Sequence, residues 1–134
     1  MVVESTLSDQ EIAELRQELR ERAQALKSQV QTELLATGNE HYVELAGRVH
    51  DSGDESVADL LTEVNLAIMD RHVKEMWDID AALDRMTDGV YGTCIDCNNP
   101  VPYGRLQAYP TAKRCYACQT RYEKNYAQPK RPGL

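Results

Sequence analysis

Residues 91–118 read YGTCIDCNNPVPYGRLQAYPTAKRCYAC and hold every cysteine of the chain, as Cys94-x-x-Cys97 and Cys115-x-x-Cys118 with seventeen residues between the pairs. Two such knuckles offer four soft thiolates, the donor set that a tetrahedral zinc takes at about 2.3 Å. Asn98, Asn99, Pro100, Pro102 and Gly104 make the intervening stretch turn-rich, so it can leave one metal and return to it. The same spacing also admits two disulfides, or an iron or redox-active thiol arrangement. No signal peptide is recognised, and a cytoplasmic location, where thiols stay reduced, is expected. The reading adopted is one structural Zn2+ held by Cys94, Cys97, Cys115 and Cys118. Four thiolates close the coordination sphere, so the metal is expected to hold a fold and to activate no water.

Upstream of the cysteines the pattern is helical. Ser8 and Glu11 form a capping box. Ile12, Leu15, Leu19, Ala23, Leu26, Val30 and Leu34 then recur at steps of three and four, a narrow apolar stripe on a polar helix. Gly38 weakens it, yet Tyr42, Leu45 and Val49 resume the period. One helix from about Ser8 to Val49 is expected, about 60 Å long at 1.5 Å per residue. His50 to Glu55 is rich in Asp, Ser and Gly and reads as a turn. A second capping box, Ser56 with Asp59, starts another stripe through Val57, Leu61, Val64, Ile68, Met76, Ile79, Leu83, Met86 and Val90. Arg71 and His72 interrupt it. His72 reads as a partly buried histidine bonded to a neighbour, and Trp77, off the stripe, as a packing or interface residue.

The fold expected is mostly α: a long antiparallel two-helix coiled-coil hairpin attached to a small four-cysteine zinc finger with a short C-terminal helix. Residues 1–7 are expected to be a flexible lead and 8–88 the hairpin, with an acidic tip near 50–56. The finger and its helix take 89–126, leaving 127–134 as a flexible tail.

Charge is unevenly spread. The chain totals −7, but residues 89–134 hold seven basic side chains against Asp96 and Glu123, a net +5. Residues 1–88 carry eight basic and twenty acidic side chains, a net −12. An acidic body repels duplex phosphates, and the asymmetry suits a partner with patches of both signs. No apolar run approaches the length of a membrane span, and no membrane partner is expected. There is no phosphate loop, no Cys-His pair outside the clamp and no open metal position, so no enzyme is expected.

The run Tyr91-Gly92-x-Cys94-x-x-Cys97, then Arg105-Leu106-x-Ala108-x-Pro110-x-Ala112, then Cys115-x-x-Cys118-Gln119 resembles the zinc finger of the DksA/TraR family. Asp51-x-x-Asp54 stands at the distance before Cys94 at which that family carries its acidic tip motif. The resemblance covers about residues 45–123. It implies a transcription regulator that binds bacterial RNA polymerase and inserts its coiled-coil tip into the secondary channel, altering promoter complexes without reading DNA sequence. Asp51 and Asp54 would then be tip residues near the polymerase active site, and Arg71 and Arg105 polymerase contacts. Ser56 stands where the family's tip motif has Ala, which puts the strength of the promoter effect in question. Family members that respond to guanosine tetraphosphate carry basic residues at positions matched here by Asp78, Tyr109 and Gln119. None is cationic, so a weak or absent response is expected. A monomer is expected.

Two other functions fit the residues. The basic end, with Tyr103, Tyr109, Tyr116 and Tyr122 among Arg105, Lys113, Arg114, Arg121 and Lys124, could serve a zinc-ribbon nucleic-acid-binding protein. The hairpin alone could serve as a coiled-coil adaptor. Covering the small metal core is the simpler use for those tyrosines.

Overall fold

A computed structural model of the chain describes residues 7–53, 55–64 and 66–125, the Ile68 side chain excepted. They form six helices: α1 (Asp9–Ala36), α2 (Glu40–His50), α3 (Val57–Leu60), α4 (Ala67–Thr87), α5 (Tyr103–Ala108) and α6 (Tyr116–Asn125). Among the described residues there is no strand, only an antiparallel bridge between Thr93 and Pro100. The protein is mostly α, with its four cysteines gathered in a finger. It divides into two compact units: Arg16–Leu83, and the described part of Met1–Leu15 together with that of Asp84–Leu134. The expected lead and tail fall largely outside the described residues.

In the Arg16–Leu83 unit, α1 and α4 run antiparallel. Arg22 pairs with Glu75 at 2.6 Å, and further along α1 Glu33 meets His72, earlier on α4, at 3.1 Å. The α1 stripe is the buried one, with Leu19, Leu26, Val30 and Leu34 all at or below 3% exposure. On α4 the apolar line runs through Met69, Val73, Met76 and Ile79, and His72 is buried beside it. His72 does not interrupt the seam; it faces the carboxylate of Glu33 from within it. Both nitrogens of the Arg22 fork reach Glu75, at 2.6 and 2.8 Å. That hydrogen bond holds the Glu75 carboxyl below the usual carboxylate range and raises Arg22. Both groups are well exposed, so the pair contributes about 0.5 kcal/mol.

The single helix expected over Ser8–Val49 is two. Thr37 turns its hydroxyl back onto the Leu34 carbonyl at 2.7 Å, and Gly38 takes φ +68°, which ends α1. The Asn39 side chain then accepts from the Tyr42 N–H at 3.2 Å and caps α2. The second arm is divided as well. After one turn of α3, the Thr62 hydroxyl donates to the Asp59 carbonyl at 3.1 Å, and α4 begins only at Ala67. Leu61 and Val64, in the intervening turn, are buried, and so they anchor it. Val90, expected on the stripe, is exposed: α4 has ended at Thr87.

Both capping boxes engage their first residue. Ser8 and Glu11 bond reciprocally, at 2.9 and 3.1 Å. Ser56 Oγ accepts from the Asp59 N–H at 3.3 Å, but the Asp59 carboxylate turns away to accept from the Trp77 indole at 3.3 Å.

Candidate metal centre and acidic turn

The finger is built from turns that place sulfur atoms. Gly89, at φ +79°, closes α4 with Val90 N–H donating to the Arg85 carbonyl at 3.0 Å. Tyr91 is buried at 2% exposure, and its hydroxyl donates to the Pro110 carbonyl at 2.7 Å, tying the entry of the finger to its return. In the first knuckle Cys94 N–H donates to Asn99 at 2.8 Å, and Asn98 N–H to the Cys94 carbonyl at 3.0 Å. Asn98 sits at φ +64°, a left-handed position that Asn tolerates better than most residues. Ile95 N–H reaches the Lys113 carbonyl at 3.0 Å and so draws the second knuckle to the first. Asp96 fixes Arg114 at 2.8 Å. Cys115 precedes α6 and Cys118 lies in its first turn.

These turns bring all four Sγ atoms within 4.8 Å of one another, with Cys97 and Cys115 at 3.8 Å. A regular tetrahedron with 2.3 Å bonds has edges of about 3.8 Å, so the sulfurs fit one zinc. All four are free cysteines. Their ionisation is uneven. Burial pushes the Cys94 thiol up, but the peptide N–H groups of Cys115, Cys97 and Asp96 outweigh it and lower Cys94 from 9.0 to about 6. Cys118 is pushed up to about 12 by its hydrogen bond to the Cys115 sulfur, by burial, and by Cys97 and Cys94. A thiolate at Cys94 thus opposes a second charge nearby, and a cation at the centre would remove that opposition. The donor set suits zinc on its chemistry as well as its shape.

Much of the basic charge of the finger is engaged within it. Arg105 is half-buried on α5 and donates to the Arg114 carbonyl at 3.0 Å. Arg114 lies over the Tyr122 ring at 3.9 Å besides holding Asp96. Arg121 points at the Cys118 sulfur at 3.9 Å. Tyr109, Tyr116 and Tyr122 are the exposed aromatics among the described residues of the finger.

At the other candidate site, Asp51 caps the C-terminus of α2 and is exposed, its carboxylate 3.0 Å from His50 Nδ1. Ser52 beside it is buried, and Gly53 takes φ +57° in the turn. Asp54 lies outside the described residues. Arg71 is exposed on α4. Of the three positions matched to the nucleotide-responsive pattern, Asp78 sits 3.8 Å from Lys74, Tyr109 is exposed, and Gln119 donates to Glu123 at 3.0 Å. Sequence reasoning missed the Trp77–Asp59 contact and the hollows flanking the turn after α3; nothing in the spacing of apolar residues signals either. Among the described residues, no helix is long and apolar enough to cross a membrane.

Residues 89–124 match the prokaryotic DksA/TraR C4-type zinc finger. Over 85 residues the chain is 34% identical to an RNA polymerase-binding transcription factor DksA of Caulobacter vibrioides, a match covering 63% of this chain and 55% of that protein. It is 33% identical over 89 residues to the general stress protein 16O of Bacillus subtilis, again covering 63% and 55%. The chain therefore spans about half the length of these relatives. In structure it is similar to transcription factor DksA2 of Pseudomonas aeruginosa, with a TM-score of 0.60 and 25% identity, over 90% of this chain and 89% of that one.

Proposed function

From a chain that is DksA-like and carries the DksA/TraR C4-type finger, we propose a regulator of transcription that binds bacterial RNA polymerase and does not read DNA sequence. The observation that carries this reading is the likeness to a DksA2 transcription factor over 90% of the chain, far beyond the finger. In this proposal one Zn2+, bound by Cys94, Cys97, Cys115 and Cys118, supplies the cross-link that holds the finger. The helical arms carry the acidic turn into the secondary channel of the polymerase. There Asp51 and Asp54 compete for basic groups and magnesium, in a confined site where water screens charge poorly. Exposure of Asp51 supports this use. Exposed Arg71 and half-buried Arg105 contact the polymerase, Arg105 through what its internal hydrogen bond leaves free. With Asp78, Tyr109 and Gln119 in place of cations, guanosine tetraphosphate adds little. The protein acts as a cytoplasmic monomer without catalytic activity.

Retention on immobilised core polymerase, with zinc content measured in parallel, tests the reading. The chain is expected to bind with one zinc, and Cys97→Ser to lose metal and binding together. A zinc-loaded chain that fails to bind core polymerase even at low salt contradicts it. The engaged arginines of the finger argue against a nucleic-acid-binding role, which a steeply salt-dependent gel shift would reinstate.

A further inference from the structure

Two hollows flank the turn after α3, and Thr62 lines both. The first, of about 290 Å³, has buried Leu45 and Val64 in its floor and Glu55, Asp59 and Glu63 around it, with Arg48 and His41 on the α2 side. The second, of about 400 Å³, is formed by Leu61, Val73 and Trp77, with Asp70 and Lys74 at its edge. Trp77 is the only tryptophan of the chain, and it stays 48% exposed. Its indole N–H is nonetheless fixed by Asp59, a residue of the first hollow, at 3.3 Å. An exposed aromatic held in one orientation is chemistry suited to an interface, because little rotamer freedom is left to lose on binding.

Charge selects the occupant. Residues 40–63 carry seven acidic side chains against the single cation Arg48, a net −6. Among the described residues neither Glu55 nor Glu63 has an ion-pair partner. Nucleic acid is repelled by such a surface. Among the described residues no three ligand atoms converge there, so a bare metal ion is not served either. A carboxylate rim over an apolar floor fits the side chain of lysine or arginine, whose methylene stem lies on Leu45 and Val64 while its head meets Glu55 and Glu63.

We propose that the two hollows together receive one basic amphipathic segment of the polymerase, a lysine or arginine entering the acidic hollow and an apolar side chain packing on Trp77. This rests on the polymerase reading and adds to it a docking surface beside the tip aspartates Asp51 and Asp54, sharing the turn with them through Glu55. The test is the dissociation constant for core polymerase across a salt series, with helicity and zinc content checked on each variant. Glu55→Gln with Glu63→Gln, and separately Trp77→Ala, are each expected to weaken binding about tenfold. The glutamine pair also flattens the salt dependence, whereas Trp77→Phe restores most of the affinity. Glu40→Gln with Glu44→Gln removes the same charge from exposed α2 positions outside the hollow and is expected to change affinity less than about twofold. Unchanged binding by the hollow variants overturns this docking surface and leaves the polymerase reading standing. An equal loss in the α2 control overturns it too, because the effect is then diffuse charge. If the unaltered chain does not bind, the polymerase reading falls and takes this inference with it.

Discussion

Cys94 and Cys118 lie on opposite sides of the ordinary thiol range, and the difference decides how the centre takes up metal. With a value of about 6, Cys94 is a thiolate in the metal-free chain at neutral pH; at about 12, Cys118 still holds its proton. Zinc binding at pH 7.5 must therefore release a proton from Cys118, and titration calorimetry in buffers of different ionisation enthalpy should show it. Because the Cys94 value is lowered by folding, its contribution is fully present above pH 9.0 and is lost as pH falls through about 6. The apparent zinc affinity is accordingly expected to fall on acidification, and more steeply below about pH 6; a flat profile between pH 8 and 5 contradicts the thiolate assignment. Tyr91 offers a metal-independent probe. Tyr91→Phe leaves the part-buried Pro110 carbonyl without this donor, and a loss of about 1 kcal/mol in the unfolding free energy is expected.

At the scale of elements, Gly38 matters through its backbone. A Cβ added there meets nothing within 4 Å, so space is not the obstacle; φ +68° is. Gly38→Ala is expected to cost about 1 kcal/mol, read by urea denaturation. No change would mean that the break moves or closes at little cost. The two arms were legible because burial follows a three-four spacing: Leu15, Leu19, Leu26, Val30 and Leu34 are the residues that the spacing picks out. The cysteines were legible because their spacing is a ligand pattern. The breaks were less so. Gly38 followed by Asn39 is ambiguous in sequence, since a Gly inside a helix costs only about 1 kcal/mol and packing can override it. The stop between α3 and α4 has neither Gly nor Pro; it depends on Thr62 bonding back to Asp59, a local bond that threonines also make inside helices, and on burial of Leu61 and Val64, a tertiary fact. His72 was read as a neighbour-bonded histidine, and its partner Glu33 could not be named, because the register between arms is set only by packing.

For the whole molecule, charge and function meet in the acidic turn. Residues 40–63 hold half of the net acid of residues 1–88, and in the proposed role Asp51 and Asp54 are the active part of that charge while the finger is a structural clamp. Binding and effect should then separate by residue: Cys97→Ser removes binding, whereas substitutions of Asp51 and Asp54 leave binding and remove its consequence. The most direct measurement is the lifetime of an open promoter complex at polymerase saturated with the chain, compared with the Asp51→Asn/Asp54→Asn variant at equal occupancy. The account predicts that the unaltered chain changes the lifetime severalfold and that the variant, equally bound, leaves it at the value for polymerase alone. A variant that binds and still alters the lifetime as the parent does would contradict the proposed role of the acidic turn.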